Sequence, residues 1–159
     1  LTGDTQPSTR RTGASTVSAD TNPPPIHHVL ETAVYCDDLA TCAAFYKDVL
    51  GLETFHESDR AVLLDAGGAT VLLLFKRGAS ADGADTTSGR IPGHDGSGNT
   101  HFALAIAADD YEAWERHLTD SGITIESRVT WSRGGRSLYF RDPEGHSVEL
   151  VTPGTWPTY

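Results

Sequence analysis

A chain of 159 residues is long enough for one domain with a real core, and it carries a formal charge of −10 at pH 7. That acidity argues against a nucleic-acid binder, which needs a basic face. No apolar run approaches the ~20 residues of a membrane span; the longest, Ala69 to Phe75, has the length of a strand. The charge is compatible with a cationic ligand or a bound metal.

Residues 1–25 hold nine Ser or Thr, four Pro and only Leu1 and Val17 as large aliphatics. Such a segment cannot bury enough apolar surface to offset its ordering entropy, and a disordered tail is predicted. It has no apolar signal-peptide core, so a cytoplasmic protein is expected. The chain has no methionine even at its start, which reads as a trimmed or processed terminus.

The folded part, 26–152, reads as a single domain whose pattern occurs twice, with 153–159 as a C-terminal tail. In the first unit, 26–76, Ile26 to Cys36 alternates as a strand. Asp37 or Asp38 caps a helix carrying Leu39, Cys42, Phe45, Tyr46, Val49 and Leu50 at three- and four-residue steps. Gly51 ends it. Strands follow at Leu52–His56, Arg60–Leu64 and Ala69–Lys76. Cys36 and Cys42 read as buried thiols acting as small hydrophobes.

Residues 77–98 are rich in Gly, Ser and Asp and form a linker, in which His94 reads as solvated loop, with closure over a substrate as the alternative. The second unit, 99–152, opens with a strand from Thr100 to Ile106. Asp109 or Asp110 caps a helix bearing Tyr111, Trp114 and Leu118, which Gly122 ends. Strands follow at Thr124–Trp131, Arg136–Arg141 and His146–Val151. One helix per four strands makes this an α+β chain of two βαβββ units. His56, His117 and His146 read as surface or helix-packing residues.

The repeat aligns the polar residues. Glu31 and His101 open equivalent strands 70 residues apart, and the turns beginning at Asp65 and Asp142 are 77 apart. Glu149 lies in an apolar strand, where an unpaired carboxylate would be costly. Its counterpart at the turn offset is Leu72. Strand alternation puts Glu31, Ala33 and Tyr35 on one face, His101, Ala103 and Ala105 on another, and Glu149 with Ser147. Glu31, His101 and Glu149 are therefore the candidate metal ligands. The alternative is a relic site in which Arg60, Arg136 or Arg141 pairs the carboxylates.

Two segments resemble the vicinal-oxygen-chelate superfamily of glyoxalase I, bleomycin-resistance proteins, fosfomycin-modifying enzymes and extradiol dioxygenases. One runs from Asp38-Leu39 to Phe45-Tyr46-Lys47-Asp48-Val49-Leu50-Gly51-Leu52. The other is Ser137-Leu138-Tyr139-Phe140-Arg141-Asp142-Pro143-Glu144-Gly145-His146, ending in Glu149-Leu150. The resemblance implies that each unit curls into half a barrel, that paired halves enclose the site, and that ligands come from the first and fourth strands. It implies a divalent metal (zinc, nickel, manganese, cobalt or iron), a small-molecule substrate, no nucleic-acid or membrane partner, and the homodimer common in the family. The usual first ligand there is histidine, and here that place holds Glu31. Glu31, His101 and Glu149 lack the two-histidine, one-carboxylate set that suits Fe(II) oxygen activation, which weighs against a dioxygenase.

The first expectation is a glyoxalase-like lyase or isomerase of a small oxygen-chelating metabolite. Glu31 or Glu149 would move protons, and Tyr35, Trp131, Arg136, Ser137 and Tyr139 would wall the pocket. The second is a metal-dependent thiol or water transferase acting on an antibiotic such as fosfomycin, on the resemblance of Ser137 to Phe140. A dioxygenase, and a metal-free drug-binding protein of the bleomycin-resistance kind, are further readings.

Overall fold

The computed structural model describes residues 23–159, so most of the expected tail lies outside the described residues. The first unit contains β1 (Glu31–Cys36), α1 (Leu39–Ala44), β2 (Thr54–Glu57), β3 (Ala61–Asp65) and β4 (Val71–Lys76). A short pair, β5 (Ala84–Thr86) and β6 (Gly89–Ile91), follows. The second unit contains β7 (His101–Ala105), α2 (Tyr111–Asp120), β8 (Ser127–Thr130), β9 (Arg136–Arg141) and β10 (Ser147–Val151). Each unit makes a four-stranded sheet, ordered β1-β4-β3-β2 in sheet 1 and β7-β10-β9-β8 in sheet 2. The first and fourth strands of each unit pair in parallel, and the remaining pairs are antiparallel.

Asp38 is the cap of α1: its carboxylate accepts from the Thr41 amide at 3.1 Å and the Thr41 hydroxyl at 2.7 Å. The helix then widens into a π-helical turn over Phe45–Val49, and Gly51 leaves it with φ +70°. The second helix is entered by a 3₁₀ turn at Ala108–Asp110, and neither Asp109 nor Asp110 caps it through its side chain.

Both sheets bury the same side against one core. Val34, Cys36, Leu72 and Leu74 from sheet 1 and Leu138, Phe140, Val148 and Leu150 from sheet 2 are all buried. The helical segment of the first unit lies between them. Phe45 meets Phe140 and Tyr46 meets Phe102, each with ring centroids 6.3 Å apart. The opposite faces of the two sheets, which carry Glu31 and Glu149, therefore look away from this shared core on separate sides.

A polar cluster crosses the core. Asp142 Oδ2 accepts from the Tyr46 hydroxyl and contacts His146 Nδ1, both at 2.7 Å. His146 is buried, which corrects the surface half of its reading as a surface or helix-packing residue. Cys36 and Cys42 are free, buried thiols with sulfurs 2.7 Å apart. The hydrogen bond with Cys36, and then burial, hold the Cys42 thiol well above its ordinary range.

All five tyrosines titrate above their ordinary value, with burial the leading cause; for Tyr46 the Asp142 charge adds to it. Above the ordinary tyrosine pKa of about 10 the unfolded chain has released protons that the folded chain keeps, so stability falls as pH rises there. Below it both states are protonated and the effect vanishes. Urea midpoints should therefore drop between roughly pH 9 and 11 in the wild type. Tyr46→Phe should begin lower at neutral pH and show a shallower alkaline fall.

Candidate metal and substrate site

Glu149 is the fixed point of sheet 2. On β10 it is paired with Tyr139 of β9 and Ala103 of β7, and it is only 5 % exposed. His101, two residues before Ala103, shares its face; His101 Nε2 lies 3.3 Å from Glu149 Oε2. The other ring nitrogen, Nδ1, lies 3.0 Å from the Ser147 carbonyl oxygen. A carbonyl can only accept, so Nδ1 carries the proton and a neutral His101 turns the Nε2 lone pair toward the carboxylate. Two such donors repel unless a proton or a cation lies between them. Ligands at ~2.0–2.2 Å from one ion sit about 3 Å apart when adjacent, so this pair fits a divalent cation. The Ser147 carbonyl is the kind of outer partner that orients a metal-binding imidazole.

Trp131, Ser137 and Tyr139 gather on the approach to Glu149. The Trp131 indole N–H donates to Ser137 Oγ at 2.8 Å. Ser137 and Tyr139 share a face of β9, and Tyr139 stands opposite Glu149 in the ladder. Burial, then the neighbouring Glu149, raise the Tyr139 pKa, so the phenol stays protonated. The His101 and Tyr139 rings stack with centroids 6.0 Å apart.

Arg136 is a correction. Alternation on β9 puts it with buried Leu138 and Phe140, opposite Ser137 and Tyr139. Its guanidinium pairs with Glu112 at 2.5 Å and sits 4.0 Å over the Tyr111 ring, on the helix side of sheet 2. It does not share the face of Glu149. Arg141 pairs with Glu126, and no carboxylate among the described residues pairs with Arg60. None of the three arginines neutralises Glu31 or Glu149 in the way the relic-site alternative required.

Glu31 stands on sheet 1, in a cavity of about 540 Å³ lined also by Ala33, Tyr35, Arg60, Leu73 and His94. Among the described residues no three His, Cys, Asp or Glu side chains come together in a metal-binding group. The chain thus joins His101 to Glu149 and leaves Glu31 apart from them. Register also corrects the fourth position. Glu31 pairs with Val71 as His101 pairs with Ser147, so the counterpart of Glu149 is Leu73, not Leu72. Leu73 faces the cavity and Leu72 faces the core. His56, read as a surface or helix-packing residue, also lines this cavity.

A family model for the glyoxalase/bleomycin resistance protein/dioxygenase superfamily matches residues 26–150. The chain belongs to this superfamily. Among members of this superfamily, the metallothiol transferase FosB of Staphylococcus saprophyticus is 30% identical over 128 residues, 80% of this chain and 76% of that protein. The glutathione transferase FosA of Serratia marcescens is 29% identical over 116 residues, 71% of this chain and 72% of that protein. A crystal structure of lactoylglutathione lyase from Agrobacterium tumefaciens superposes with a TM-score of 0.76 at 34% identity, covering 84% of this chain and 99% of that one. Two βαβββ units, each giving a four-stranded sheet, accord with the superfamily fold. No helix among the described residues is long and apolar enough to cross a membrane.

Proposed function

We propose that this protein is a metal-dependent thiol transferase acting on a small electrophile. The observation that carries the proposal is His101 Nε2 lying 3.3 Å from the Glu149 carboxylate, with Nδ1 held by the Ser147 carbonyl. The likeness to a metallothiol transferase and a glutathione transferase supports transfer ahead of the glyoxalase-like lyase first expected. His101 and Glu149 would hold a divalent cation together with Glu31 of a second copy of the chain. A homodimer would lay the Glu31 face of one copy over the Glu149 face of the other. Exposed Val29, Leu30 and Phe55, flanking or lying on the edge strands of sheet 1, suit such a contact.

When bound, the cation supplies Lewis-acid stabilisation of an oxygen that gains negative charge as the electrophile opens. The protein's own groups do the rest. Ser147 would orient the His101 ring, Tyr139 would stand beside Glu149, and Ala33, Leu73 and Phe75 would give the cavity an apolar wall. Glu31, when displaced from the cation, would be the carboxylate on that side able to take a proton from an incoming thiol.

Metal content and transfer should be measured together. Chelator dialysis followed by Mn, Zn, Ni, Co or Fe should restore about one equivalent per chain, as expected for one three-ligand site. The loaded protein should then add glutathione or cysteine to an epoxide. His101→Ala should lose both metal and transfer. A protein that takes up no metal would instead be a ligand-sequestering member of the superfamily. A second reading, lyase action on a glutathione adduct, is favoured by the 34% identity to lactoylglutathione lyase. Turnover of methylglyoxal with glutathione, without epoxide opening, would select it.

A further inference from the structure

The segment between the units is a built wall of the sheet 1 cavity. Residues 77–98 fold back through the β5–β6 hairpin, and Ala84, Ile91 and His94 line the cavity. His94 packs edge-on to Phe75 at 4.6 Å between centroids, and its Nδ1 lies 2.8 Å from the Tyr35 hydroxyl. A Cβ on Gly96 would come within 2.6 Å of the Tyr35 ring, so this residue must be glycine for the segment to sit so close. Arg77 ties the same stretch down through the Tyr35 and Gly96 carbonyls and Asp37.

Arg60 is the unusual member of this cavity. Arg77, Arg90, Arg128, Arg136 and Arg141 each pair with a carboxylate. Arg116 and Arg133 are exposed. Arg60 is half-buried, and its Nε and Nη2 donate only to the neutral hydroxyl of buried Ser80, at 3.3 and 3.1 Å. A half-buried guanidinium without an anion is costly. It is more telling in a chain with ten excess negative charges. The Ser80 backbone carbonyl accepts the His94 backbone N–H at 3.0 Å, so one residue anchors Arg60 and His94 side by side. Burial, with Asp95 nearby, raises the Tyr35 pKa, so its phenol stays protonated beside His94 Nδ1. With the Tyr35 hydroxyl donating to Nδ1, the His94 ring presents an Nε2–H, which has no protein partner among the described residues.

We propose that Arg60 and the His94 Nε2–H form an oxyanion-binding subsite in this cavity, taking a carboxylate or phosphonate group of a small molecule. A guanidinium fork beside a neutral N–H donor matches a planar or tetrahedral oxyanion. Glu31 lies in the same cavity, so a ligand held here by its anionic end presents the rest of itself toward Glu31. That this ligand is the substrate or the thiol rests on the transferase reading; the anion binding itself does not.

The test is NMR titration of ¹⁵N-labelled full-length protein with methylphosphonate and, separately, with acetate. Saturable shifts of the Arg60 Nε–H and the His94 ring are expected with at least one probe. The probe that binds tells a phosphonate-bearing electrophile from a carboxylate-bearing thiol. Arg60→Gln should weaken binding about tenfold or more, as loss of a charge-assisted bidentate contact implies. Arg60→Lys, which keeps the charge and the fold, should retain part of it. Tyr35→Phe should let the His94 tautomer drift, read from its ring ¹⁵N shifts, and weaken binding less. Chelator-treated wild-type protein should bind the probes with unchanged affinity, which separates this subsite from the metal reading. Absence of saturable shifts at Arg60 and His94, or undiminished binding in Arg60→Gln, would overturn the proposal.

Discussion

Mixing two inactive variants should restore metal binding. Glu31→Ala removes the sheet 1 carboxylate and Glu149→Ala removes one from sheet 2; each alone should bind no metal tightly. The two residues sit on faces turned away from one core, and the described residues of one chain form no three-donor group. If the site pairs sheet 1 of one copy with sheet 2 of another, a mixed dimer holds one doubly damaged site and one intact site. Random re-pairing of equal amounts then recovers about one quarter of wild-type sites in a two-fold dimer. Metal analysis after joint unfolding and refolding, with the separately refolded variants as controls, reads this directly. A site closed within one chain predicts no recovery at any mixing ratio. Full metal retention by either single variant would remove that residue from the ligand set.

The residues that made the repeat legible were those whose type and period agree. Asp38, Gly51 and the Leu39-to-Leu50 stripe specify a capped helix, and alternation from Glu31 to Cys36 specifies a strand with one polar-lined face. Residues 26–30 continue that alternation but are not strand. The parallel partner begins only at Val71, whose N–H bonds the Leu30 carbonyl, so the ladder does not extend back along residues 26–30. Leu72 was matched to Glu149 because Asp65 and Asp142 both open Asp-x-x-Gly turns. Yet Asp65 pairs with Val71 as Arg141 pairs with Ser147, so the two similar turns are one residue out of step. A one-residue slip exchanges the faces of a strand, which put a core residue where a cavity residue belongs.

Arg136 fails by the same rule, since alternation alone separates it from Ser137 and Tyr139. The Arg60–Ser80–His94 arrangement had no sequence signal. It depends on a hairpin within a Gly-rich linker folding back over the sheet, and only the contacts of Gly96 and Arg77 reveal it. The separation of Glu31 from His101 and Glu149 was equally hidden. Repeat symmetry says which positions are equivalent, not which faces of two units meet.

Asp142→Ala should be the most destabilising single change in the chain. Oδ1 accepts from the backbone amides of Glu144 and His146, at 3.1 and 2.8 Å, and so shapes the turn that leads into β10. Oδ2 binds the Tyr46 hydroxyl and His146 Nδ1, and Cys42 Sγ lies 3.8 Å away. Tyr46 comes from the first unit and the turn from the second, so one carboxylate joins the two halves across the core. Removing it strands a buried phenol, a buried imidazole and two amides at once, with a cost of roughly 3–5 kcal/mol for breaking a buried charged network. Asp142→Asn keeps the shape but replaces an acceptor with a donor facing Tyr46, and should cost less. Tyr46→Phe removes one partner and should cost least, on the order of 1–2 kcal/mol. Urea unfolding of the three variants, followed by Trp fluorescence and far-UV circular dichroism, should give midpoints in that order. The β10 turn sets the register of Glu149, so Asp142→Asn should also weaken metal binding while His101 and Glu149 are both intact. Wild-type metal affinity in a folded Asp142→Asn would show that the turn stabilises the fold without positioning the site.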